Sequence, residues 1–359
     1  MSKYGKSKAE DLIDQIESDS SNKLGSLRSR FSVHEREENL QLKGIIQEQE
    51  KEITILKRAL GISEILNDVE TPKPVRVRYP KSKRPKAFQL HLSDTHSREI
   101  VTLQQTDGRN EHNAEIGRER LRSIILKALE EIKKESTGAY PAHLTVWGGG
   151  DYMVNADLHY KMERSVEEEP LIEMEKIYEM LNEDLGILFS KTPTDSNSFV
   201  GSFSNHGRDS DKMVLGLESA RSYDTAIYKR LATDFGEVDF NIANTTWTVE
   251  DVNGFKTLYT HGHGKKSSVK RSPTGVMLPK WNFLNEMRVN YDFDAWAQGH
   301  FHTHSVLWSN GICHIQNGCL VGENSFSASL GFPWEPPSQN LVVVDLESNR
   351  IEKVIALYA

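Results

Sequence analysis

Apolar positions along this chain keep two distinct periods. From residue 87 onward, runs of four to six residues that read as β-strands alternate with longer stretches whose apolar residues return every three or four positions. The strand runs are Phe88–Leu92, Leu144–Trp147, Ser198–Phe203, Thr257–Thr260, Ala295–Gln298, Gly311–Ile315, Leu341–Val344 and Val354–Leu357. Leu121, Ile124, Ile125, Ala128, Leu129 and Ile132 mark one face of a helix. Further helical stretches are expected from about 163 to 185 and from 212 to 235. Strands alternating with helices first, and strands dominating later, predict a layered α/β domain with mixed sheets.

Residues 1–70 have a different character, rich in Glu, Lys, Gln and Ser. Leu42, Ile46, Ile53, Leu56 and Leu60 fall at alternating three- and four-residue steps when the polar Gln49 takes one slot. That is roughly three heptads. A short coiled coil joining copies of the chain would show this pattern, and so would a single amphipathic helix docked on its own domain. Next comes a linker over 71–86. Lys73 to Lys86 carries three prolines and seven cations in fourteen residues, so it reads as extended and basic. A solvated spacer and an arm tracking a nucleic-acid backbone both fit it.

Composition narrows the setting. The chain of 359 residues, 37% hydrophobic and 27% charged, suits a soluble protein with one large domain and an appendage. No apolar run reaches membrane-span length and the start lacks a signal-peptide core, so no membrane partner and a cytoplasmic location are expected. Cys313 and Cys319 are too few for a disulfide framework and read as reduced thiols. A net charge of −8 argues against a wholly basic nucleic-acid binder, leaving any such contact to local patches.

Five short blocks stand just past the strand runs. They are Asp94-Thr-His96, Gly150-Asp151, Asn205-His206, His261 within Thr-His-Gly-His-Gly, and Gly299-His300-Phe301-His302. Together they supply seven hard or borderline donors, about the number that two adjacent divalent cations need. Residues two apart on an extended chain share a side, so Asp94 and His96 are expected to reach one cation, and His300 and His302 neighbouring ones. The glycines before Asp151 let the chain turn tightly. Its carboxylate has two oxygens with which to bridge cations roughly 3.5–4 Å apart. Asn205 offers an amide oxygen, while His206 beside it points elsewhere. His263 and His304 are read as neighbours of the ligands or as surface groups. A single histidine at a strand end would read as structural; seven such groups at strand exits do not.

The order Asp-x-His, Gly-Asp, Asn-His, His, Gly-His-x-His resembles the calcineurin-like metallophosphoesterase superfamily over residues 87–359. The resemblance implies a four-layer αββα sandwich with two mixed β-sheets and metals at the carboxyl ends of the strands. It implies that Asp94, His96, Asp151 and His302 hold one metal, and that Asp151, Asn205, His261 and His300 hold the other. His206 matches the family's catalytic histidine, which meets the scissile phosphate or its leaving oxygen. Two departures stand out. The family usually follows Gly-Asn-His with Asp or Glu, whereas Ser204-Asn205-His206-Gly207-Arg208 lacks that acid, with Asp209 the nearest substitute. Asn155 also stands where an acid is common, four positions after Asp151. Asn-His-Gly-Arg is similar to what phage-encoded members would carry, which would put the protein in a host cytoplasm.

Two cations at such a site lower the pKa of a bridging water, and the resulting hydroxide attacks phosphorus in line. His206, if protonated, would donate to the departing alkoxide. Mixed oxygen and imidazole ligation suits Mn²⁺, Fe²⁺ or Zn²⁺, and resemblance to the family's nucleases favours Mn²⁺. Arg208, Lys265 and Lys266, with Lys270 and Arg271 further along the same loop, are candidate contacts to flanking phosphates. Trp281 and Phe283 would stack bases or fill the core. The expected function is a metal-dependent DNA nuclease resembling the family's double-strand-break repair exonucleases. A phosphatase of proteins or small molecules, and a coiled-coil adaptor whose metal domain is structural, are the alternatives.

Overall fold

The segment Pro85–Leu92 shows how this sequence builds layers. All eight of its residues are buried, so both faces of the strand are covered. Phe88, Leu90 and Leu92 point one way, into a cluster with Leu121, Ile124, Ile125 and Leu181. Ala87 points the other way, among Val252, Phe255 and Cys313. One face therefore meets helices and the other meets a second sheet.

The computed structural model describes residues 74–81, 83–155, 166, 168–210, 218–263, 269–271, 277–279, 288, 289, 292–325, 327 and 334–359. The expected coiled coil within 1–70, and Lys265, Lys266, Trp281 and Phe283, lie outside the described residues. In chain order the elements are β1 (Pro85–Leu92), α1 (Ala114–Glu135), β2 (Tyr140–Gly148), α2 (Pro170–Lys191), β3 (Ser196–Gly201) and α3 (Tyr223–Asp234). There follow β4 (Asp239–Ile242), β5 (Thr248–Val252), β6 (Phe255–Thr260), β7 (Val269–Arg271) and β8 (Met277–Pro279). The last are β9 (Ala295–Gln298), β10 (Ser305–Ser309), β11 (Ile312–Gln316), β12 (Ser338–Asp345) and β13 (Arg350–Tyr358).

A six-stranded sheet runs in the order β13-β12-β1-β2-β3-β4, and a five-stranded sheet in the order β10-β11-β9-β6-β5. Both are mixed. β1, β2, β3 and β4 are mutually parallel, as are β6, β9 and β11, while β12, β13, β5 and β10 pair antiparallel. β7 and β8 form a separate two-stranded ribbon. The two sheets face each other across Ala87, Ala142, Val252, Phe255 and Val342, giving the expected α/β sandwich. The helices α1, α2 and α3 pack on the outer face of the larger sheet, so three of the four expected layers are seen among the described residues.

Local signals explain the helix ends. Asn113 caps α1 by accepting from the N–H groups of Glu115 and Ile116, and Lys133 and Lys134 occupy its last turn. Its buried stripe of Leu121, Ile124, Ile125 and Ile132 is worth roughly 1.5–3 kcal/mol per side chain. α2 begins with Pro170 at its first turn, later than the apolar period alone suggests, and runs on to Lys191.

Between the sheets the filling is partly polar. Gln89 donates to Thr257 Oγ1 (2.9 Å), and Thr145 and Ser198 donate to the two carboxylate oxygens of Glu250 (2.7 and 2.5 Å). Burial pushes the Glu250 carboxyl up to about 7, although those two hydroxyls oppose the rise. The basic segment before β1 is extended, as expected, and is docked on the domain. Val75 N–H donates to Asp251 O (2.9 Å), Asn253 N–H donates to Val75 O (3.1 Å), and Val75 and Val77 pack against the inter-sheet cluster. Arg76, Arg78, Lys81, Lys83 and Arg84 remain exposed along it.

Candidate metal centre

The carboxyl ends of β1, β2, β3, β6 and β9 converge, and each delivers one of the five sequence blocks. Main-chain bonds stitch the exits together: Asp94 N–H donates to Gly150 O (2.9 Å), His96 N–H to Asp151 O (3.0 Å) and Gly299 N–H to His261 O (3.0 Å). Side-chain donor atoms of Asp94, His96 and His302 lie within 4.8 Å of one another, as do those of Asp151, His261 and His300. A third group of the same closeness joins His96, Asp151 and His206. Asp94, His96, Asp151 and His261 form a buried floor, and Asn205, His206, His300 and His302 a half-buried rim.

The backbone reaches this arrangement in a way that strand alternation does not describe. Asp94 (φ 52°), His96 (φ 39°), Asp151 (φ 53°), His300 (φ 71°) and His302 (φ 56°) all take left-handed conformations. The expectation that i and i+2 share a side because the chain is extended therefore needs correcting. Each of these pairs is brought together by two left-handed residues flanking one ordinary residue. Such conformations are strained for residues with a Cβ, and persist where the surroundings over-determine them. Gly299 is required here, because a Cβ on it would collide with the Asp94 carboxylate.

Hydrogen bonding indicates what the centre is built to hold. His261 Nδ1 lies 2.7 Å from Gly149 O, and a carbonyl only accepts, so Nδ1 carries the proton. In the neutral ring Nε2 then presents a lone pair, yet it faces Asn205 Oδ1 at 3.1 Å and Asp151 Oδ2 at 3.0 Å. Three acceptors converging on one point call for a positive charge there, either a second proton on Nε2 or a metal cation. Burial would lower the His261 pKa, but the Asp151 carboxylate overrides it and lifts the ring to about 9. Asp151 is held well below the usual carboxylate range: burial opposes this, and His261 and His206 outweigh burial. On the other side, His96 Nε2 and His302 Nε2 stand 3.3 Å apart, and Asp94 Oδ2 is buried without a protein partner. Burial drives His96 and His300 well below the ordinary histidine value, whereas Cys319 and Asp94 lift His302 well above it against burial. These donors fit a pair of divalent cations.

His206 sits against this floor, its ring 4.8 Å from that of His96 in an edge-to-face arrangement. Its Nδ1 is 2.7 Å from Val154 O, and its N–H donates to Asp151 Oδ1 (3.1 Å). Asp209 binds Arg221 (2.9 Å). Asn155 uses its amide to donate to His206 O (2.7 Å) and Arg208 O (2.8 Å), bracing the loop. Arg208 donates to Asn205 O (2.5 Å) and Ser210 O (3.0 Å). His263 is buried beside His261 and His300, with ring centroids 5.3 and 6.5 Å away, and burial pulls its pKa down to about 3.

Two supporting carboxylates leave no clear mark in the sequence, and the first of them is Asp224. Asp224, in the first turn of α3, accepts from Ser204 N–H (2.9 Å) and Ser204 Oγ (2.6 Å). Burial raises its carboxyl to about 7, with the Ser204 hydroxyl opposing. The only local signal was the helix start at Ser222-Tyr223-Asp224, where an acid is ordinarily read as complementing the helix dipole. A Cβ on Gly207 would collide with the Asp224 carboxylate. Gly207→Ala is therefore expected to cost about 1–3 kcal/mol, a melting shift of a few degrees. It should also weaken metal retention roughly 10–100-fold through the displaced Asn205 loop. Thermal melts with and without metal check both, and unchanged values in each would remove Asp224 from this role.

No protein-family model matches the chain, and no curated protein matches its sequence. Several solved structures are similar to it at a distance. An archaeal phosphodiesterase matches with a TM-score of 0.34 and 11% identity, over 75% of this chain and 99% of its own. A zinc complex of Vps29 from Entamoeba histolytica matches with a TM-score of 0.31 and 10% identity, over 75% and 99%. Vps29 from Cryptosporidium parvum matches with a TM-score of 0.30 and 14% identity, over 76% and 99%. Among the described residues, no helix is long and apolar enough to cross a membrane.

Proposed function

We propose that this protein is a two-metal phosphoesterase that cleaves phosphodiester bonds, with DNA as its substrate. The observation that carries the reading is Asp151, whose donor atoms belong both to the group with His261 and His300 and to the group with His96 and His206. In this reading Asp94, His96, Asp151 and His302 hold one cation, and Asp151, Asn205, His261 and His300 hold the other. When bound, two such cations supply an activated water and neutralise charge on the phosphoryl oxygens. Oxygen and imidazole donors in this mixture suit Mn²⁺, with Fe²⁺ and Zn²⁺ as alternatives.

The chain's own residues do the rest. Val154 O fixes the tautomer of His206 by accepting its Nδ1 proton (2.7 Å), so Nε2 is the atom that passes a proton to the leaving alkoxide. Asn155 and Arg208 hold the loop that carries His206 in place. The exposed cations of residues 76–84 precede β1, at the end of the strand opposite Asp94. Eight residues of strand separate them from the centre, roughly 25 Å at about 3.3 Å per residue. A long polyanion can touch both places and a short ester cannot, which supports a polynucleotide.

The test is a panel with Mn²⁺: single- and double-stranded DNA, an aryl phosphodiester and an aryl phosphomonoester. DNA degradation, with diester turnover exceeding monoester turnover, is the expected result. Hydrolysis of the aryl diester without any DNA cleavage removes the nuclease assignment. Faster monoester turnover points to a phosphatase.

A further inference from the structure

We infer that Glu173 is a positioning residue for His206, acting through the peptide group that joins Val154 to Asn155. The inference rests on reading His206 as the proton donor. It answers the question left by the absent acid after Asn205-His206: which group orients this imidazole.

Glu173 lies in the first turn of α2 and is fully buried. Its Oε1 accepts the Val154 N–H at 2.6 Å, and its Oε2 accepts the Asn155 N–H at 3.1 Å. Both oxygens act as acceptors; burial raises this carboxyl to about 7, and the two N–H groups oppose the rise by favouring the ionised form. The Asn155 N–H and the Val154 carbonyl belong to one amide. That carbonyl receives the His206 Nδ1 proton at 2.7 Å. Carboxylate and imidazole thus sit at the two ends of a single peptide dipole. A negative charge at the N–H end draws electron density toward the carbonyl oxygen and makes it a stronger acceptor, as hydrogen bonds in series polarise one another.

The geometry is closed from the other side as well. Asn155 takes a left-handed backbone (φ 54°), which turns its side chain back so that its amide donates to His206 O (2.7 Å) and Arg208 O (2.8 Å). The ring and the main chain of His206 are therefore both tied to residues 154 and 155, and Glu173 fixes those two residues. Among the described residues, two other acids near the loop are engaged elsewhere: Asp209 with Arg221 (2.9 Å) and Asp224 with Ser204 (2.6 Å). Glu173 does what a carboxylate hydrogen-bonded to the ring would do, displaced by one peptide group.

The experiment uses the full chain with Mn²⁺ and two diesters. One has an aryl leaving group that departs without a proton, and the other is a dinucleotide whose alkoxide needs one. Glu173→Gln keeps the side-chain volume but turns one acceptor into a donor facing an N–H. It is expected to lower kcat on the dinucleotide at least tenfold, with KM unchanged and kcat on the aryl diester within about threefold. Added to His206→Gln it should cause no further loss. The ¹⁵N shifts of the His206 ring, measured without turnover, are expected to move in Glu173→Gln and to return toward the wild-type values in Glu173→Asp. If Glu173→Gln does not fold, Glu173→Asp is read with the same substrates and shifts, and unmoved ring shifts overturn the inference. Equal losses on both diesters, or losses additive with His206→Gln, make Glu173 merely structural. A His206→Gln variant that itself loses activity equally on both diesters takes down the proton-donor reading instead, and this inference with it.

Discussion

Asp151→Ala is expected to reduce phosphodiester hydrolysis by roughly a thousandfold or more. The shared carboxylate contributes several kcal/mol of charge stabilisation through the cations it would hold, at about 1.36 kcal/mol per decade of rate. The structure shows why no neighbour compensates. Asp151 Oδ2 faces His261 Nε2 at 3.0 Å, Oδ1 accepts the His206 N–H at 3.1 Å, and the side chain is only 2% exposed. Its loss leaves His261 facing Asn205 alone and removes one of the ties on the main chain of the His206 loop. Metal analysis of the purified variant should fall from two equivalents to one or fewer, while the far-ultraviolet circular dichroism is retained. A variant that keeps two equivalents and more than a tenth of the activity would show that Asp151 does not bridge.

His206→Gln has the second largest expected effect and a different signature. On a diester with an alkoxide leaving group the loss should be about 10²–10⁴-fold, the range for a positioned proton donor. On an activated aryl diester it should be small, and two equivalents of metal should remain bound. The contrast follows from the ring's attachment: Nδ1 is committed to Val154 O at 2.7 Å, and the residue meets the ligand floor edge-on at His96. Metal loss in His206→Gln would make the residue a ligand and not an acid.

The parts of the site that the sequence made legible are those where chemistry and strand period coincide. Leu144–Trp147 and Thr257–Thr260 are apolar enough to declare their strands, and the next polar residues are the ones that matter. Strands without an apolar run stayed hidden. Asp239–Ile242 carries Asp239 and Asn241 in four residues, and Thr248–Val252 looks polar because Glu250 points inward to meet Thr145 and Ser198. Ser305–Ser309 is an edge strand whose Val306, Leu307 and Trp308 are exposed, the reverse of the usual burial rule. The supporting carboxylates were illegible for another reason. Glu173 and Asp224 act on main-chain N–H groups 18 to 20 positions away, and a main-chain partner leaves no mark on residue type. Asn155 read as a missing acid, although its amide braces the loop by donating to two carbonyls.

The left-handed backbone at Asp94, His96, Asp151, His300 and His302 has a consequence for anyone wishing to graft this centre onto another scaffold. Copying seven side chains onto the ends of five regular strands would not reproduce it. The recipient must supply tight reversals at three separate strand exits and hold each strained residue at a cost on the order of 1–3 kcal/mol. Asp and His are among the few residues with a Cβ that visit this region readily. The donor chemistry and the backbone shape therefore select the same residue types. A transplant would have to carry the loops and their two-sheet foundation as one block.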